Sequence, residues 1–174
     1  MADVWEAIAG EAEAESDLWG QCLVPGAARE RDAVFSPLGE ERFALGLETI
    51  YEGYLVHYGR PRLFAAPDSD TALLLGDYLY AHGLVRIAAF GDVAAVADLS
   101  ELISLSSQLR AEDADGDGSL WAATAALLGR GSLDEARAAL RLRGDASALD
   151  AAAREAAGDE AVDAALAAHG LRLR

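Results

Sequence analysis

The sequence predicts an all-α fold, a helical bundle closed by short Ala-rich C-terminal helices. Ala and Leu dominate the 174 residues, β-branched runs are almost absent, and Gly or Pro recurs between stretches whose apolar residues repeat every three or four positions. No strand is expected. With 52% hydrophobic residues in one domain-sized chain there is enough apolar material for a core, which argues against intrinsic disorder.

The first helix is predicted over Val4 to Leu18, with Val4, Trp5, Ile8 and Leu18 as a thin apolar stripe and Glu11, Glu13, Glu15 and Asp17 outside. A second covers residues 38 to 58, where Phe43, Leu47, Ile50, Tyr51, Tyr54 and Leu55 share one side. A third, Asp70 to Phe90, is apolar nearly all round, so the sequence places it at the centre of the bundle. Asp92 then caps a fourth that runs to about Leu109 with Val96, Leu99, Leu102, Ile103 and Leu109 facing inward. All four prolines, Pro25, Pro37, Pro61 and Pro67, fall in the first half and bound these helices.

An acidic, Gly-rich break at Glu112 to Gly118 precedes a short helix from Leu120 to Leu128. The tail reads as three Ala-rich units. A capping box, Ser132-Leu-Asp-Glu135, opens the first, which ends near Gly144; Asp145 caps a second ending at Gly158; Asp159 caps a third ending at Gly170. Such short helices are marginal alone and need a body or a partner to lie on. Residues 1–130 are therefore read as the bundle core, and 131–174 as appended helices packed on it or on a partner.

Charge excludes several function classes. Against 30 acidic residues there are 14 basic ones, all Arg, for a formal charge of −16. A nucleic-acid backbone or an anionic membrane would be repelled, and the densest basic groups, Arg60 with Arg62 and Arg137 with Arg141 and Arg143, read as solvated faces. The acidic N-terminal stretch lacks the pattern of an export signal, and Asp77, His82 and Arg86 interrupt the most apolar segment, so no integral membrane segment is expected. A single cysteine, Cys22, permits no internal disulfide and reads as a small buried hydrophobe in a cytoplasmic protein.

One stretch matches the first eight positions of a calcium-binding loop. Asp113, Asp115 and Asp117 stand at positions one, three and five, Gly118 at six and Leu120 at eight. Position twelve is Thr124 where a bidentate Glu is needed, so these three are weak metal candidates, and a turn between helices is the simpler reading. No cofactor motif is found: Gly129-Arg-Gly131 lacks phosphate-loop spacing, and no nucleophile elbow is present. Of the histidines, His57 is placed at a helix end, His82 in the core and His169 in a last turn, where the helix dipole favours a cation.

Ala72-Leu-Leu-Leu-Gly-Asp-Tyr-Leu-Tyr-Ala81 resembles a helix of the trans-polyprenyl diphosphate synthases, an isoprenoid synthase fold, and the similarity extends over about residues 50 to 112. In the catalytic members an aspartate-rich motif before this helix holds the magnesium ions that neutralise the departing diphosphate. Here that place reads Leu55-Val-His57-Tyr58-Gly59-Arg60-Pro61, and the tail has no second aspartate-rich motif. The chain thus resembles the small non-catalytic subunit of a heterodimeric, heptaprenyl-type synthase more than the enzyme.

The resemblance implies a protein with no activity of its own that stabilises a catalytic polyprenyl synthase subunit. It carries over Gly76, Asp77, Tyr78, Leu79 and Ala81 as structural residues: Gly76 and Asp77 as a close-packing and polar pair, the others on the packing face. A buried Asp77 would need a partner, Arg86 or Arg42. The alternatives are a self-associating helical protein of unrelated role, a homo-oligomer, or a weak calcium binder. Gly in mid-helix costs about 1 kcal/mol against Ala unless close approach recovers it. Gly76 therefore predicts a tight helix crossing.

Overall fold

The computed structural model describes residues 3–131 and 133–173, and among them every regular element is helical. The helices are α1 (Val4–Glu15), α2 (Asp17–Cys22), α3 (Ala44–Tyr58), α4 (Ser69–Ala88), α5 (Val93–Ala111), α6 (Asp117–Ala126), α7 (Asp134–Arg143), α8 (Ser147–Ala157) and α9 (Asp159–Arg172). One isolated antiparallel bridge, Leu23 with Phe64, ties the segment after α2 to the loop between α3 and α4.

Local chemistry sets the boundaries. Asp3 accepts from the Trp5 amide and opens α1. The single helix expected over Val4 to Leu18 is broken at Ser16, whose backbone is extended and whose hydroxyl accepts from the Leu18 amide to start α2. A serine that can bond its own neighbouring backbone favours a cap over a helix interior. The helix expected from residue 38 begins instead at Ala44, after two 3-10 turns at Ser36–Leu38 and Glu41–Phe43. Asp68 and Asp92 cap α4 and α5 through side-chain bonds to the amides of Thr71 and Ala95.

The centre of the molecule is α3 with α6. Every residue from Gly46 to Leu55 is buried, as is every residue from Leu120 to Ala126. The expectation that the third helix is central is overturned. α4 buries Leu75, Gly76, Leu79, Tyr80, Gly83 and Ile87 but leaves Leu73, Leu74 and Val85 in solvent, because only one side of it is covered.

Glycines allow α3 and α4 to cross closely, with Gly46 opposite Gly83 and Gly53 opposite Gly76. A Cβ on Gly53 would stand 2.9 Å from the Gly76 carbonyl oxygen, and one on Gly83 would stand 3.0 Å from that of Gly46. The tight crossing expected at Gly76 is present.

A small apolar cluster on one side of this crossing joins α1 and α2 through Trp5, Ile8, Ala12 and Cys22 to Leu63, Phe64, Leu75 and Leu79. The larger cluster joins α3, α5 and α6 to the tail. Leu133, Leu140, Leu149, Ala153, Val162 and Ala165 belong to it, so α7 to α9 close one core with the helices before them. The capping box lies partly outside the described residues, since it begins at Ser132. Asp145 accepts from the Ser147 amide at 3.0 Å, but it stands one residue before the cap of α8, which is Ala146. Asp159 is the first residue of α9 rather than its cap, and α9 continues through Gly170 to Arg172. No helix among the described residues is long and apolar enough to cross a membrane.

Candidate functional site

The residues carried over from the resemblance do not share one face. Gly76 is occupied from above by His57: a Cβ there would stand 2.3 Å from Nε2 of its imidazole. Asp77 is exposed, not buried, its side chain 67% accessible, and its Oδ1 lies 3.3 Å from the same Nε2. Neither expected arginine reaches it. Arg86 bonds Thr49 and, at 2.6 Å, Glu11, while Arg42 pairs with Glu40 at 2.8 Å and Asp92 at 3.3 Å.

Tyr78 stacks on Trp19, with ring centroids 5.6 Å apart, and Leu79 is buried in the smaller cluster. Ala81 faces solvent, so its expected place on the packing face is corrected. His57 is a nearly buried side chain, and burial lowers its pKa while Asp77 offsets this only in part. Burial thus disfavours a charged imidazole beside Asp77.

Asp77 sits within an uncovered stripe. Leu74, Asp77, Ala81, Val85 and Ala88 follow one another at three- and four-residue spacing on the outer side of α4 and are all exposed. Val85 is 66% accessible. The stripe runs on to Phe90 and to Val93, which is 81% accessible at the start of α5. There Ala88, Gly91, Asp92, Val93 and Val96 enclose an apolar notch of about 230 Å³. The exposed charges along α4's outer side, Asp70 and Asp77, are both acidic. Large apolar side chains grouped in solvent are the usual mark of an interaction surface.

Inside the bundle the ionisable groups are committed to one another. Arg62 donates to Glu48 at 2.6 Å and to Glu52 at 2.9 Å, and its guanidinium lies 4.6 Å from the Trp5 ring centroid and 5.0 Å from that of Tyr51. Glu52 also accepts from the amides of Arg62 and Leu63, which fixes the loop after α3. Burial opposes the Arg62 charge, but the two carboxylates outweigh it and raise its pKa. A third buried pair, Arg137 with Asp98 at 2.8 Å, joins α7 to α5.

Asp117 is the hub of a second network. It accepts from Tyr54 and Arg110 and lies 3.1 Å from His169 Nε2, whose Nδ1 shares a 2.9 Å hydrogen bond with the Tyr51 hydroxyl. With a proton on Nε2 the imidazole gives to Asp117, while Nδ1 meets the Tyr51 hydroxyl. Burial pushes the Asp117 carboxyl up, but the bonds from His169, Tyr54 and Arg110 prevail and hold it well below the usual carboxylate range. Burial drives the Tyr51 and Tyr54 phenols upward, so both stay protonated.

This arrangement disperses the three aspartates of the calcium-like loop. Asp113 and Asp115 are exposed, Asp117 turns inward, and α6 begins at Asp117, so Thr124 lies in the core and not in a loop. Among the described residues no three His, Cys, Asp or Glu side chains converge as metal ligands. His82, expected in the core, lies at the surface 2.6 Å from Glu11. His169 lies in the last turn of α9, as expected, and is buried there.

A cleft of about 460 Å³ between the segment after α2 and the α3–α4 loop is lined by apolar residues such as Val24, Val56 and Phe64 together with the charged Glu30, Arg60 and Arg62. Arg62 and Arg137, expected on solvated faces, are instead buried in ion pairs, and sequence reasoning missed the partners Glu48 and Glu52. Their signal was an acidic pair one helical turn apart inside the apolar run of the second predicted helix. Comparison with protein-family models, with curated proteins and with solved structures returns no match.

Proposed function

We propose that this chain is a non-catalytic, partner-binding helical subunit that docks through the outer side of α4 and stabilises the protein it binds. The observation that carries this reading is the uncovered apolar row from Leu73 and Leu74 through Val85 to Val93 along α4 and the start of α5. Leaving such side chains in water forgoes about 25 cal/mol for each Å² that a partner would cover. The buried carboxylates support it too. Glu48, Glu52, Asp98 and Asp117 are each held by internal cations or hydroxyls, the pattern of groups that build a scaffold.

The resemblance of Ala72 to Ala81 makes a catalytic polyprenyl diphosphate synthase chain the first partner to test. Tagged protein is purified from its host, co-purifying chains are identified, and prenyl transfer is assayed with and without it. Recovery of a synthase whose activity rises at least several-fold on adding this chain is the expected result. Recovery of the chain alone, with prenyl transfer unaffected, overturns the reading.

A further inference from the structure

We infer that the outer face of α4 receives one amphipathic α-helix of a partner, which seats a large apolar side chain in the notch beside Val93 and offers an Arg or Lys to Asp77. This rests on the partner-binding reading above and specifies the partner's chemistry. The stripe is straight and one helix wide, and its middle residue, Ala81, is small enough for another backbone to approach. A helix laid along such a surface reads it with side chains at successive turns.

Charge selects the occupant. Asp77 presents a carboxylate amid apolar side chains, and desolvating it against an apolar or acidic surface is costly unless a cation arrives with the partner. His57 reaches the carboxylate from behind, at 3.3 Å, and leaves its outer side open to a partner. A second copy of this chain is disfavoured, because it brings another charge of −16 and an outer α4 face whose charges are again acidic.

Spacing makes the inference specific. Asp77 and Ala88, at the lip of the notch, are eleven residues apart, about 16 Å along a helix. A partner helix packed nearly parallel or antiparallel therefore carries its basic and its large apolar side chain about three turns apart.

The probe is a phage-displayed library of 20-residue helix-forming peptides, selected on the full chain and counter-selected on Val85→Glu, whose fold is checked by circular dichroism. The enriched peptides are expected to pair an Arg or Lys with a Leu, Met or Phe three turns away. Asp77→Asn is expected to weaken a representative peptide at least fivefold, and to respond no further when that peptide's basic residue is changed to Gln.

No enrichment, enriched peptides lacking the basic residue, or equal affinity for Asp77→Asn would overturn the inference. So would sedimentation of the chain as a dimer that Val85→Glu dissociates, since a second copy would then be the occupant. The two readings fail separately: co-purification of a synthase tests the function, and the library tests the chemistry of this face.

Discussion

The imidazole of His57 lies directly over Gly76, so that the glycine of one helix is the floor on which a side chain of the next rests. The same imidazole reaches Asp77, which makes the Gly76-Asp77 pair a seat and a hook for one histidine. Position 76 is thereby coupled to α3 through a side chain, whereas Gly53 is coupled to α4 through backbone.

That difference predicts unequal costs. Gly76→Ala is expected to destabilise by about 1–2 kcal/mol, the overpacking penalty less what alanine gains as a helix former. Gly53→Ala meets the Gly76 carbonyl, which cannot rotate away, and is expected to cost more. Urea unfolding of both, with a double-mutant cycle between Gly76→Ala and His57→Ala, checks this; additivity in the cycle would show that the imidazole is not the obstacle.

Removing Arg62 strands two buried carboxylates. Arg62→Met is expected to lose about 3–5 kcal/mol, and adding Glu48→Gln with Glu52→Gln is expected to recover part of the loss. Denaturant titration of the single and triple variants decides it. A single variant within 1 kcal/mol of wild type would contradict the buried pairing.

Asp117 gives a signed pH dependence. Its folded pKa is depressed, so the unfolded chain binds the proton more readily. Its contribution is therefore complete above the unfolded value of about 3.9 and fades as pH falls below it through the folded pKa. The stability gap between wild type and Asp117→Asn is expected to be widest at neutral pH and to shrink below about pH 4. Unfolding measured for both proteins from pH 7 to pH 2.5 tests this, and a gap that widens on acidification would contradict it.

Substitutions on the outer face of α4 separate the fold from the docking proposed for it. Leu74→Glu and Val85→Glu are expected to leave stability within about 0.5 kcal/mol, as exposed substitutions usually do, while abolishing partner recovery. Thermal melts paired with co-purification check both halves. A large fall in melting temperature would mean that these residues support the fold itself.

Calcium at millimolar concentration is expected to leave the melting temperature unchanged relative to chelator at matched ionic strength. Asp113→Asn is expected to be silent, and Asp117→Asn is not. A calcium-dependent rise lost in Asp113→Asn would restore the ion-binding reading of that loop.

The helices were legible because they depend on local chemistry: Asp92 caps as expected, and a glycine inside an apolar helix betrayed the close crossing at Gly76. The position of α4 was not. A helix face left in solvent and a face buried in a core can carry the same apolar residues, and the sequence does not record which has cover. The buried pairs were hidden for a different reason. Arg62 meets Glu48 and Glu52 across a change of chain direction, and His169 meets Tyr51 across 118 residues, so local spacing marks the acidic pair at most and never its partner. His82 shows the converse: its apolar neighbours suggested a core position, while Glu11 on α1 was waiting at the surface.

The bond between Tyr51 and His169 has a consequence for biosynthesis. A ribosome adds 118 residues between these two partners, on the order of ten seconds at ordinary elongation rates. Tyr51 and Tyr54 through nearly all of that interval, and Asp117 from its own synthesis onward, lack the imidazole that completes their network. The central helices therefore wait, partly assembled, for a segment made much later, and the nascent protein is most vulnerable to misassociation just before α9 arrives.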